Sequence, residues 1–191
     1  MDKKTRVLLI LLGVGIVFVG MTSFSKPKKK KTTDKSKNYI IGDSQTPFID
    51  NASEKAKRIK EKGGEDALWL GGMGLKWLKG AVDKYPVSED VNSIIINIGT
   101  NGGFNKQDDI SGLITSLKTK FPNATLYAVK GSWGWGGIKN KTEQQVNVYY
   151  DVFTENGVKV LNTAIGKVND PHGNLAIYKT IGKEIDEEIK L

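Results

Sequence analysis

The chain is 191 residues long, enough for one domain and a tail. It contains no cysteine, which excludes disulfides, thiolate metal sites, a cysteine nucleophile and lipoprotein acylation. Its net charge of +8 lies wholly in residues 1–37, where ten basic side chains stand against two acidic ones; the rest holds nineteen of each sign, so nothing in the totals calls for a nucleic-acid partner.

The chain opens with Lys3, Lys4 and Arg6, then runs uncharged from Val7 to Phe24. As a helix that stretch would extend roughly 27 Å, close to the hydrocarbon thickness of a bilayer. Residues 1–25 are therefore expected to be a single-pass membrane anchor, with a cleavable secretory signal as the alternative at Ser23-Phe24-Ser25. Residues 26–37, with Lys26-Pro27-Lys28-Lys29-Lys30-Lys31, read as a basic flexible linker. The positive-inside rule would leave the domain beyond the linker in the cytoplasm. A short basic start before an apolar core suits export instead, and an extracytoplasmic domain is the expectation, secreted if the leader is cleaved.

Residues 38–191 read as one domain of alternating strands and helices. Asn38 to Ile41 forms a short buried strand ending at Gly42, and Ala52 to Lys62 has helix-forming composition with Gly63-Gly64 as its stop. Ala67 to Leu70 is the expected second strand, ending in Gly71-Gly72-Met73-Gly74. Leu75 to Lys84 comes next as a helix, with Leu75, Leu78 and Val82 on one face. Ser93 to Ile98 is the clearest strand, a β-branched run of the kind buried on both faces. Asp108 to Lys120 is a helix, Thr125 to Val129 a strand, Glu143 to Glu155 a helix and Val158 to Leu161 the fifth strand. Leu175 to Ile189 closes the chain as an amphipathic helix. Five strands separated by helices predict a parallel sheet covered on both faces. Ligands of such sheets gather at the carboxyl ends of the strands. Ser44, Gly74, Asn101, the segment from Ser132 to Trp135, and His172 all fall there.

His172 is the sole histidine, hence the one imidazole able to act as a general base near neutral pH. Asp170 stands two residues before it, and Ser44 lies in a tight turn after Gly42. That combination points to a serine hydrolase. No metal-ligand spacing, phosphate loop or dinucleotide fingerprint is present, so neither metal nor cofactor is expected. Two tryptophans, Trp133 and Trp135, sit among glycines at 131, 134, 136 and 137. They suit an exposed sugar-stacking surface or a lid, with inward packing against the sheet as the alternative.

Four blocks in order carry a resemblance: Gly42-Asp43-Ser44 with Gln45 after it, Gly72-Met73-Gly74, Gly99-Thr100-Asn101 with Gly102 after it, and Asp170 with His172. In these the chain resembles the SGNH hydrolases, or GDSL esterase/lipase superfamily, over about residues 38–190. Gln45 stands where many members have Leu, and Gly102 where many have Asp. The resemblance implies a three-layer, flavodoxin-like α/β/α domain with Ser44 as nucleophile, His172 as base and Asp170 orienting the imidazole. It also implies an oxyanion hole from the N–H groups of Ser44 and Gly74, with Gly72 as a rival, and the Asn101 amide. The family places its acid three residues before the histidine, where this chain has Asn169. Asp170, Asn169 and a backbone carbonyl are therefore three candidates for the orienting group. The expected activity is a metal-independent, membrane-tethered esterase acting on acyl groups, such as O-acetyl, of envelope or cell-surface glycans. A lipid esterase, or a non-catalytic glycan-binding or structural module of an envelope or virion, are the alternatives.

Overall fold

The computed structural model describes residues 37–59, 66–173 and 175–189. The expected anchor at 7–24, most of the linker and the end of the helix expected over 52–62 lie outside those residues. Among the described residues no helix is long and apolar enough to cross a membrane.

The centre is a five-stranded parallel sheet. Its strands are β1 (Asn38–Gly42), β2 (Lys57–Arg58), β3 (Ser93–Asn97), β4 (Thr125–Ala128) and, beyond a separate two-residue strand β5 (Ser132–Trp133), β6 (Lys159–Val160), in the order β2-β1-β3-β4-β6. All five residues of β3 are buried, as expected of a strand covered on both faces. Ile94 and Ile96 join one core with Leu78 of α2 (Leu75–Lys84), Leu113 and Leu117 of α3 (Ile110–Lys120) and Tyr149 and Phe153 of α4 (Glu143–Glu155). Ile95 points the other way, into a second core with Ile49 of α1 (Thr46–Ala52) and Tyr178, Ile181 and Ile185 of α5 (Leu175–Glu188). Two apolar faces on one run of isoleucines force the three layers, since each buried side chain contributes about 1.5–3 kcal/mol.

Helix boundaries reflect local chemistry where caps exist. Thr142 and Gln145 form a reciprocal capping box that starts α4 where the sequence predicts it. The helix expected over 52–62 is displaced. Its place is taken by α1, which begins at Thr46 with Pro47 in its first turn. Asp186 of α5 then ends it. Its carboxylate accepts from Ser53 Oγ at 2.6 Å and from the N–H groups of Glu54 and Lys55 at 2.8 and 3.0 Å, drawing the chain into a turn. The second strand also differs. Lys57–Arg58 pairs with the start of β1, whereas residues 67–70 contribute only a bridge between Trp69 and Gly42 at its end. Arg58 lies over the Trp69 ring at 5.2 Å, so the two segments share one edge of the sheet.

A second, two-stranded parallel pair joins β5 to β7 (Gly166–Lys167). Its strands are too short to leave a pattern in the sequence, yet they set the site. Ile165 and Val168 N–H groups donate to the carbonyls of Lys130 and Trp133, both at 2.9 Å, stapling the segment before His172 to the tryptophan loop.

Candidate active site

Ser44 lies just beyond β1. The turn beneath it is closed by Asp43, whose Oδ1 accepts from the Gln45 N–H at 3.0 Å and whose own N–H donates to Asn97 O at 3.1 Å. Gly42 is required here: with φ of +142°, its absent Cβ would stand 1.7 Å from Asn97 O on the neighbouring strand. A side chain at this position would push β1 from β3 and move the serine.

The far end of the chain meets this turn. His172 Nε2 lies 3.1 Å from Ser44 Oγ, and its Nδ1 lies 3.2 Å from Asp170 Oδ1. The same carboxylate oxygen accepts from the His172 backbone N–H at 2.8 Å. This is an Asx turn, and it explains how a two-residue spacing reaches the ring. Pro171 opens the 3-10 turn Pro171–Gly173, and the Asp170 side chain folds back over it to the imidazole. A carboxylate on Nδ1 selects the tautomer with hydrogen there, leaving Nε2 to accept from the serine hydroxyl. Asn169 is exposed, and the contact to Nδ1 is made by Asp170. The His172 side chain is 45 % exposed and Asp170 70 %, so water screens this pair. Tyr178 OH donates to Pro171 O at 2.9 Å and ties the loop to α5.

The oxyanion candidates lie nearby. Gly74 is the N-cap of α2, so its N–H is outside the helix ladder. A Cβ there would meet Gly102 at an ordinary 3.8 Å, so protein packing does not demand a glycine. Gly72 is exposed at φ +80° with nothing near a Cβ, whereas Gly74 abuts the residue after Asn101. Gly71, which no sequence motif singles out, brings this loop to within 3.5 Å of the Ser44 Cβ if given a Cβ of its own. Asn101 Nδ2 donates to Met73 O at 3.2 Å and to Asp43 Oδ2 at 3.3 Å. Both amide hydrogens are engaged, and one must turn away from these acceptors to reach an oxyanion. Full burial raises the Asp43 carboxyl to about 7 despite the Gln45 bond.

The two tryptophans part company. Trp133, expected at a sugar-stacking surface, is 6 % exposed and packs into the larger core because it belongs to β5 and points at the sheet. Trp135 is half-buried, and its ring stands edge-on to His172 with centroids 6.4 Å apart. Phe48 covers another side of the imidazole at 5.8 Å, a contact no motif announces. An open cleft of about 700 Å³ runs between the loop after Asn101 and the turn after Trp135. Gly102, Phe104, Lys106, Ile138, Lys141 and Val148 are among its lining residues.

No family model and no curated protein matches the chain. Solved structures do. A Streptococcus pneumoniae protein provisionally described as a platelet activating factor aligns with a TM-score of 0.59 at 13% identity, over 79% of this chain and 82% of that one. A protein of the G-D-S-L family from Desulfitobacterium hafniense DCB-2, provisionally described as lipolytic, aligns with a TM-score of 0.53 at 12% identity, over 79% and 98%. The chain shares the fold of these structures, in agreement with the SGNH resemblance of its motifs.

Proposed function

We propose that this protein is a serine esterase of SGNH type, and the observation that carries the reading is the contact series Ser44 Oγ, His172 Nε2 and Nδ1, Asp170 Oδ1. Ser44 Oγ attacks the ester carbonyl while its proton passes to His172 Nε2. The Nδ1–H bond to Asp170 favours the imidazolium so formed. The tetrahedral oxyanion draws on the N–H groups of Ser44 and Gly74 and on one Asn101 hydrogen released from its acceptors. His172 returns its proton to the departing alcohol, leaving an acyl-serine. Water, deprotonated by His172, then releases the acid and restores the serine.

The proposed substrate is an acylated glycan of an envelope or cell surface, with O-acetyl as the acyl group. Two features support a polymer rather than a buried lipid chain: the half-buried Trp135 beside His172, and an open cleft lined by Lys106 and Lys141 between the loop after Asn101 and the turn after Trp135. The uncharged run at 7–24 supports a membrane tether, and the short basic start before it supports a domain outside the cytoplasm. One observation favours a second reading, a glycan-binding module without turnover: both Asn101 amide hydrogens are already engaged.

Hydrolysis of p-nitrophenyl acetate by the purified protein and its Ser44→Ala variant separates the two readings. A loss of roughly 10⁴- to 10⁶-fold in kcat is expected for the esterase. Equal rates would leave only the binding module. Acetate release from an acetylated oligosaccharide, compared with a p-nitrophenyl ester of a long fatty acid, tests the substrate class.

A further inference from the structure

One buried hydroxyl joins three loops around this site. Thr100 is 2 % exposed and precedes Asn101. Its Oγ1 accepts from Gln45 Nε2 and from the Ser132 N–H, both at 3.2 Å, and donates to Ser132 O at 3.3 Å. Those three bonds use the hydroxyl's one hydrogen and both lone pairs. Gly131 makes room for it, since a Cβ there would stand 2.3 Å from Thr100 Oγ1. Ser132 Oγ in turn accepts from Trp135 Nε1 at 3.0 Å, and the Trp135 ring stands edge-on to His172.

We propose that Gln45 and Thr100 are positioning residues, forming a buried latch that holds Trp135 against His172 and keeps the imidazole aimed at Ser44. The inference rests on the esterase reading of Ser44 and His172. Three observations carry it. First, the Trp135 backbone is held where its carbonyl accepts from the Ile138 N–H at 3.0 Å and its ring packs against the larger core, and the indole N–H bond to Ser132 Oγ adds the side-chain tie that fixes how the ring is turned. Second, nearly half the His172 side chain is exposed, and its loop holds the ring at Nδ1 alone; Trp135 and Phe48 supply the walls that restrict its rotation. Third, Gln45 is fully buried with its Oε1 unpartnered among the described residues. A leucine there would fill similar space with no polar group to desolvate. A half-satisfied amide at this position is explained by what its other half does.

The test uses the full chain and reads two quantities. One is turnover of p-nitrophenyl acetate. The other is the Cε1–H resonance of His172, unambiguous because it is the sole histidine, and shifted by the ring currents of Trp135 and Phe48. Thr100→Val is expected to lower kcat about tenfold with KM changed less than about twofold, and Gln45→Leu about threefold in the same sense. In both, the Cε1–H resonance moves towards that of free histidine, as it does in Trp135→Phe. Thr100→Ser keeps the hydroxyl and restores both readouts. The double variant is no worse than Thr100→Val alone, because both changes open one latch. A wild-type resonance in folded Gln45→Leu overturns the latch, whatever the fate of Thr100→Val. So does a loss confined to KM, or full additivity in the double variant. If Ser44→Ala shows that there is no serine-dependent turnover, the esterase reading fails by itself and the resonance still decides whether the latch exists.

Discussion

The two halves of the site are built by opposite means. The Ser44 turn is rooted in the interior: Asp43, Gln45 and Thr46 are fully buried, the Asp43 N–H donates to Asn97 O of β3, and Gln45 Nε2 donates to Thr100 in the loop after it. The His172 segment lies on the surface, where Asp170 is largely in water, the imidazole is nearly half exposed, and a local Asx turn places Asp170 on Nδ1. A buried polar turn is stiff because each misplaced group loses a hydrogen bond it cannot replace with water. An exposed loop can exchange its bonds for water at little cost. On the proposed reading the nucleophile stands on the rigid half, whereas the exposed Asn101, His172 and Asp170 form the adaptable half.

That contrast can be broken by substitution. The largest effect is expected at Asp43. Burial holds its carboxyl at about 7, above the value near 4 of an unfolded chain, so the native state keeps a proton that the unfolded state releases. This contribution to stability is complete below about pH 4 and is lost as pH rises through about 7, a span of roughly 4 kcal/mol. Asp43→Asn removes the titration. In urea unfolding from about pH 4 to about pH 7.5, the stability of wild type relative to the variant should fall steadily. A flat difference would show that the turn is not the dry, rigid half described above.

Next comes Asn101→Ala, for which kcat on p-nitrophenyl acetate is expected to drop roughly 100- to 1,000-fold, the usual loss for one oxyanion donor. A wild-type kcat would mean that the amide stays on Asp43 and Met73 throughout. Asp170→Asn should be milder, about 10- to 100-fold, because an exposed carboxylate stabilises the imidazolium through water. Asn169→Ala should stay within about twofold. If Asn169→Ala proved the more damaging of the two, the orienting bond would have to be reassigned.

Much of the fold and the site is legible in the residues. The β3 run of isoleucines, the helix over 143–155 and the final amphipathic helix arise from periodicity and caps that act within a few residues. Ser44 and His172 stand out because a chain with one imidazole leaves few choices. The departures share a different cause. The helix expected over 52–62 loses to Asp186, more than 130 residues away, which captures the N–H groups of Glu54 and Lys55. Composition leaves Trp133 either on a sugar-stacking surface or packed inward, and the fold, with Trp133 in β5, puts it in the core. Phe48 carries no motif, and its place against His172 exists only because α1 begins as early as Thr46.

The sequence by itself determined the strand-and-helix alternation, the sheet's burial on both faces and the short list of groups able to do the chemistry. These depend on side-chain type and local spacing. Tertiary structure alone decided that Asp170 rather than Asn169 meets His172, because that choice turns on an Asx turn and on the staple between residues 165–168 and the tryptophan loop. It also decided that Gln45, a departure within a familiar block, belongs to a buried chain of hydrogen bonds ending beside the imidazole. A hydrogen bond between distant residues leaves no period in a sequence, and only the fold says which polar groups will be shut away together.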